Sequence, residues 1–526
     1  GYMKRLVNGF LASLTLVYLL RIPLLIGATA LGLCGAAFYT PAHALLANLF
    51  DMSQSWGIAI FSLSTLMLFF VIASSVLLIL RYGTERFELR TGDTPPPVAW
   101  RPLRLLYEKL LLGSAVLLAL PLEIAAIYYT KHHNLHFSLG RAWGEAVSGS
   151  LLAVGLLWLS RRLAQQVSER TGYTNLTARV ARWFWWLEER IGRGYFKYEK
   201  GEAVTLLPGH AAATFLFAVT LVLYLSGYYV GALPSITVAS IVYVWLLLML
   251  LCWSLSGLSF FLDRFRIPVL LPLLALLFLT SQFKSSDHFF PTMAQSLPRT
   301  PLPSAPPVGQ KIVIVAANGG GIQSAAWTAR VLTGLGDEIG EHFGRSVRVI
   351  SAVSGGSVGA MYYVNEYQNG TPPPPAESAA IVERAKASSL SQVAWGLTYP
   401  DFMRVLFPPF SNEYDRGRML EEAWLRPETE WRNRDHLRTS ISQWKQEVDA
   451  GMRPGLILNT TNADTGQRLP LATVSIPSKT DGEIARAEFF QALSDKGQDI
   501  SLLTAVRLSA SFPFVTPAAR APLSLT

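Results

Sequence analysis

The chain has 526 residues, 51% of them hydrophobic and only 15% charged, with a mean hydropathy of +0.31 and a net charge of +9. That balance is too apolar for an ordinary soluble enzyme, and the length allows a membrane region plus one globular domain. Positive charge on so apolar a chain points to membrane topology and anionic lipid rather than nucleic acid, and no RNA- or DNA-binding motif appears.

Taken in order, long apolar stretches recur at Tyr18–Tyr39, Gly57–Leu80, Leu110–Tyr129, Ala146–Ser160, His210–Gly231, Ile236–Leu262 and Ile267–Phe283. Most approach the roughly 20 residues that cross a bilayer as a helix. The reading is therefore an N-terminal α-helical transmembrane bundle of about seven helices over residues 1–283. Ala146–Ser160 and Ile267–Phe283 are short, and Pro268 and Pro272 interrupt the latter, so either could be re-entrant or interfacial. Tyr18–Tyr39 is too long for the apolar core of a signal peptide and reads as a retained anchor, with Met3 a candidate native start. Cys34 and Cys252 both lie in apolar runs, which argues against a disulfide framework or a cysteine zinc site.

Basic residues gather in alternate connections: Lys4 and Arg5, then 81–109, then 161–200. The positive-inside rule places the N-terminus in the cytosol. With seven spans the segment after Phe283 emerges on the opposite side. The expectation is a multi-pass protein of the bacterial inner membrane, its C-terminal domain on the non-cytosolic side. Arg21 and Glu123 fall inside apolar spans, where ionisable groups are costly and are often paired or functional. His132, His133 and His136 have helical spacing but no acidic or thiol partner nearby, so a polar loop is the default over a metal site. Trp183-Phe184-Trp185-Trp186, among arginines, reads as an interfacial helix or an aromatic belt.

Residues 284–310 read as a linker, proline-rich from Pro298 to Pro307. Beyond it, strands and helices alternate, which argues for an α/β layer fold over 311–526. Lys311–Ala317 reads as a buried strand and Asn318-Gly319-Gly320-Gly321 as a tight turn. Ile322–Leu335 has helical spacing. Val347–Val353 is a second strand, followed by Ser354-Gly355-Gly356-Ser357-Val358-Gly359 and a helix over Ala360–Tyr367. Gly355 to Gly359 fits G-x-S-x-G, which presents Ser357 on a nucleophile elbow flanked by Gly355 and Gly359. Gly319, Gly320 and Gly321 can turn their N–H groups toward one point and cradle an oxyanion. Further on, helices are expected at Ile381–Leu390, Gly417–Trp424 and Leu502–Ser509. Strands are expected at Leu456–Asn462 and Ala472–Ile476.

The order Asn318-Gly319-Gly320-Gly321-Ile322, then Gly355-Gly356-Ser357-Val358-Gly359, then Ser509-Ala510-Ser511-Phe512-Pro513-Phe514 resembles the patatin-like phospholipase family. Asn459-Thr460-Thr461 and Asp464-Thr465-Gly466 resemble its central strand and turn. The resemblance covers Lys311 to Thr526. It implies a three-layer α/β/α domain and hydrolysis of lipid esters, phospholipase A- or lysophospholipase-like, by a Ser–Asp dyad without metal or cofactor. Ser357 would be the nucleophile, and its partners would be membrane phospholipid or another lipid ester and the bilayer itself.

Two departures stand out. Gln323 and Ser324 occupy places where the family usually has Arg and Gly. The family's Asp-Gly-Gly/Ala motif, which carries the base, is expected beyond Thr526, so the sequence reads as truncated before it. Asp481-Gly482 is the one Asp-Gly pair in the domain, but it precedes the Ser-Phe-Pro segment. Two other readings stay open: a membrane transport or sensing protein with a catalytically silent domain, and a nucleotide-binding α/β domain. The second lacks both a G-x-G-x-x-G register and a Gly-Lys-Ser/Thr.

Overall fold

The computed structural model describes residues 2–39, 47–50, 52, 56–80, 100–133, 138–169, 196–199, 202–206, 208–232, 238–265, 267–282, 287–295, 311–407, 414–426, 431, 433–476, 493, 495–512 and 515–521. The chain divides into two compact units, Gly1–Leu279 and Thr280–Thr526. His136, the Trp183–Trp186 cluster, the prolines of 298–307, Asp481 and Pro513-Phe514 lie outside the described residues.

The first unit is helical. In hydrocarbon each backbone N–H and C=O must be satisfied within its own segment. Its long helices are α1 (Tyr2–Tyr39), α2 (Gly57–Leu78), α3 (Trp100–His133), α4 (Leu139–Glu169), α5 (Pro208–Ala232) and α6 (Ser240–Leu262). Among the described residues these six are long and apolar enough to cross a membrane. About seven are expected from the apolar stretches; among the described residues six meet both the length and the apolarity of a span. The seventh stretch forms α7 (Leu270–Ser281), 12 residues and so about 18 Å long, well short of a hydrocarbon core of about 30 Å. Ala146–Ser160, short in sequence, lies inside the 31-residue α4. A small hairpin, β1 (Phe196–Glu199) with β2 (Glu202–Leu206), precedes α5.

Helix α2 is the most enclosed, with 67% of its span buried. Gly149 lets α4 approach it, since a Cβ there would lie 2.1 Å from the Ala59 carbonyl oxygen. Trp245 Nε1 on α6 donates to Thr65 Oγ1 at 3.2 Å. The two charges set within these apolar helices have partners. Arg21 donates to Asp263 Oδ1 at 2.7 Å and to Ser259 Oγ at 2.9 Å, and its guanidinium lies over the Tyr18 ring. Glu123 accepts from Ser150 Oγ at 3.5 Å. Cys34 and Cys252 are both buried free thiols.

The second unit is a mixed sheet with helices. Its sheet runs β4 (Val313–Ala317), β5 (Val347–Val353), β6 (Gly455–Thr461), β7 (Arg468–Ala472), the first three parallel and the last antiparallel. On one face Ile350, Ala352, Leu456 and Leu458 are fully covered, and Val313, Val315 and Ala317 pack into the same core. The other face is open at β4, where Ile314 is 74% exposed. The helices that matter for the site are α8 (Gly321–Ile339), α9 (Gly355–Asn365), α10 (Arg416–Trp424) and α11 (Leu502–Ser509). Residues 287–295, placed in the linker by composition, belong to this unit. There β3 (Met293–Ala294) pairs with β8 (Gln498–Asp499), Phe289 bridges Arg520, and Phe290 is buried in the core.

That segment is also held by charge. Asp415, 1% exposed, caps α10 by accepting from the Arg418 N–H at 2.7 Å. Its other oxygen accepts from His288 Nδ1 at 2.8 Å, and Arg507 lies 3.7 Å away. Burial alone would raise this carboxyl's pKa. His288, Arg507 and the Arg418 N–H outweigh it and hold the group below the ordinary carboxylate value. A pKa lower in the folded than in the unfolded chain means stabilisation that is complete above about pH 4 and lost as pH falls through the folded value. Asp415→Asn should therefore cost about 1.5–3 kcal/mol at pH 7, since it removes the charge from the hydrogen bond with His288, while Arg507 keeps Glu421. It should also flatten the acid-side fall in melting temperature, read from thermal unfolding at a series of pH values.

Candidate active site

The site begins where β5 ends. Val353 is the last strand residue and Gly355 the first of α9, so the chain turns at Ser354. Ser354 has φ 54° and ψ −126°, a conformation an L-residue avoids and one that costs about 1–3 kcal/mol. Its carbonyl accepts from the N–H groups of Ser357 at 2.9 Å and Val358 at 3.3 Å, which starts the helix. The residue is half-buried.

The glycine loop lies against this kink. A Cβ on Gly319 would be 3.2 Å from Ser354 Cβ. A Cβ on Gly355 would be 1.9 Å from the Gly321 carbonyl oxygen, and one on Gly356 would be 2.6 Å from that of Asn318. Gly359 makes the same kind of approach to α8, where an added Cβ would meet the Ala325 carbonyl at 2.4 Å. Gly319, Gly320 and Gly321 are exposed, and the last two adopt φ 154° and 60°. Among the described residues no internal acceptor takes their N–H groups. The loop opens the 19-residue α8, whose positive end favours negative charge. Ser324 donates its hydroxyl proton to the Asn318 carbonyl and braces the loop.

Ser357 is elsewhere. It sits in the first turn of α9, is 0% exposed, and its Oγ lies 2.8 Å from Ser509 Oγ. The expectation of an exposed hydroxyl at this position is corrected: the kink falls three residues earlier. G-x-S-x-G fits the sequence at Gly355–Gly359, but the strand runs to Val353 and leaves no turn there. The usable signal was Val353-Ser354-Gly355-Gly356, an apolar strand end, a serine and two glycines small enough to slip under the loop.

His436 is taken up between Asn365 Oδ1 at 3.1 Å and Glu447 Oε1 at 3.0 Å rather than free for catalysis. Among the described residues no carboxylate or imidazole hydrogen-bonds Ser354 Oγ, and no group of three His, Cys, Asp or Glu side chains could hold a metal ion.

The family model described as Patatin, patatin-like phospholipase, matches residues 316–522, less than half of the chain. The chain carries a patatin-like phospholipase domain. Comparison with curated proteins and with solved structures gave no match. The match takes in the patatin-like domain's glycine loop, its elbow and the Ser509–Phe512 segment, and so unites the three stretches that the sequence set in order. It places the domain in a family of lipid acyl hydrolases.

Proposed function

We propose that the protein is a membrane-anchored serine hydrolase of lipid carboxylic esters, phospholipase A- or lysophospholipase-like, in which Ser354 is the nucleophile. The observation that carries this reading is the strained Ser354 turn with Gly319 against it. Ser354 Oγ attacks the ester carbonyl and passes its proton to the aspartate base implied by the family. The N–H groups of Gly319, Gly320 and Gly321 hold the negative oxygen of the tetrahedral intermediate. Collapse expels the alcohol, which takes up the proton, and water then hydrolyses the acyl-serine. Tethering the domain to a bilayer raises its effective concentration toward a substrate dissolved there. The test is fatty-acid release from phospholipid in mixed micelles by the protein in its natural full length, with and without Ser354→Ala. Release that persists in the variant contradicts the proposal.

The transport or sensing alternative rested on Arg21 and Glu123. The Arg21–Asp263 ion pair gives Arg21 a structural role, which leaves Glu123 as its support.

The six spans found among the described residues would return the chain to the side on which it entered. The Arg21–Asp263 pair supports the same parity, because Arg21 lies near the start of the first span and Asp263 just past the end of the sixth. With Lys4, Arg5 and the basic connections on that side, the hydrolase domain falls in the cytosol, opposite to the side implied by seven spans. A reporter fused after Gln310 should be active only in its cytosolic form. Activity of a reporter that works solely outside the cytosol would contradict this.

A further inference from the structure

We propose that Ser509 is a positioning residue that holds the Ser354 elbow in its strained conformation, with Ser357 as its buttress. The inference rests on Ser354 being the nucleophile.

Ser509 ends α11 and is 7% exposed. Its hydroxyl has one proton and two lone pairs. The proton goes to the Asn459 carbonyl at 2.8 Å, on β6. One lone pair faces the Ser354 N–H at 3.3 Å, and the other faces Ser357 Oγ at 2.8 Å. Because the Ser509 proton is already committed, Ser357 is the donor in that last bond. All three capacities of one hydroxyl are filled, and each ties down a different element: the end of β6, the turn after β5 and the first turn of α9.

The geometry explains why the elbow stays put. A residue at φ 54° persists only where its surroundings over-determine it. From above, Gly319 and Gly321 limit Ser354 and Gly355 by contact. From below, Ser509 is the hydrogen-bond acceptor for the Ser354 backbone amide among the described residues. That anchor is itself fixed. Arg507, two residues earlier on α11 and 2% exposed, pairs with Glu421 Oε1 at 3.2 Å on α10, and Ser501 caps the helix by accepting from the Thr504 N–H. Asn459 is braced in turn, donating through Nδ2 to the Ala352 carbonyl at 2.9 Å and accepting from Arg468 at 2.6 Å.

A positioning role differs from a structural one in what it changes. Ser509→Ala removes two acceptances and one donation at once and frees the turn to relax. The nucleophile then drifts from its cradle, and a displacement of about 1 Å is worth about 10²-fold in rate. The experiment uses the protein in its natural full length and measures three things: the labelling rate with a fluorophosphonate probe, kcat and KM on a p-nitrophenyl ester, and thermal unfolding. Ser509→Ala should lower the labelling rate and kcat by about 10²-fold with KM near that of the wild type. Ser509→Thr, which keeps the hydroxyl, should recover most of the loss. Ser357→Ala, which removes one incoming donor only, should lose much less than Ser509→Ala. Wild-type labelling by Ser509→Ala overturns the inference, as does a loss confined to KM or an equal loss in the Ala and Thr variants. Should Ser509→Ala fail to fold, Ser509→Thr and Ser357→Ala decide: full labelling loss in Ser357→Ala overturns it, and near wild-type labelling in both supports it. Labelling that survives Ser354→Ala refutes the nucleophile assignment instead, a result distinct from any of these.

Discussion

Ser354→Ala is expected to lower ester hydrolysis by on the order of 10⁶-fold in kcat, the loss typical of removing a serine nucleophile outright. Ser357→Ala is expected to retain most activity. The contrast follows from where the two hydroxyls sit. Ser354 occupies the turn itself, half-buried, with the exposed glycine loop against it. Ser357 is sealed in the first turn of α9, its oxygen bonded to Ser509. A fully buried hydroxyl cannot reach an ester carbonyl without unwinding the helix that carries it. Steady-state rates on a soluble ester, measured on proteins of matched thermal stability, check the pair. Equal losses in both variants would mean that the elbow had been assigned to the wrong serine.

Gly355→Ala is expected to be nearly as damaging, for a steric reason. The added methyl would sit 1.9 Å from the Gly321 carbonyl oxygen, and both are backbone-bound, so the loop or the elbow must move. Overpacking of this kind costs about 1–3 kcal/mol or more in stability. Displacing one oxyanion donor costs about 10²–10³-fold in kcat. Both losses should appear together, in thermal unfolding and in turnover. Gly334→Ala and Gly336→Ala are the controls. Both glycines lie within α8, an added methyl meets nothing within 4 Å, and alanine there should stabilise by about 0.5–1 kcal/mol. Damage from these controls equal to that from Gly355→Ala would remove the steric argument.

The elements around the site were legible because their sequence periods are strong. Val347–Val353 was read as a strand and is one, residue for residue, and Leu502–Ser509 was read as a helix and is one. Helix α8 starts at Gly321, one residue before the expected Ile322, and runs on to Ile339. The misreadings share a cause, which is tertiary packing that local pattern does not encode. Gly355-Gly356 looked like part of a turn because glycine is a poor helix former, yet close approach to the loop demands glycine and the helix begins there. The positive-φ turn therefore lies at Ser354, three residues before the serine of the motif. Ala472–Ile476 was read as a strand, but β7 ends at Ala472, because Arg468–Ala472 is the stretch in register with β6. Ile267–Phe283 was counted as a span on composition, where length decides. His288 could not have been placed from sequence, since its partner Asp415 is 127 residues away.

The most direct test of the central claim is the site of covalent capture. The protein in its natural full length, in lipid or detergent, is reacted with a fluorophosphonate, digested, and the modified residue located by fragmentation mass spectrometry. The account predicts a single adduct on Ser354. An adduct on Ser357, or a folded full-length protein that takes no label, would contradict it.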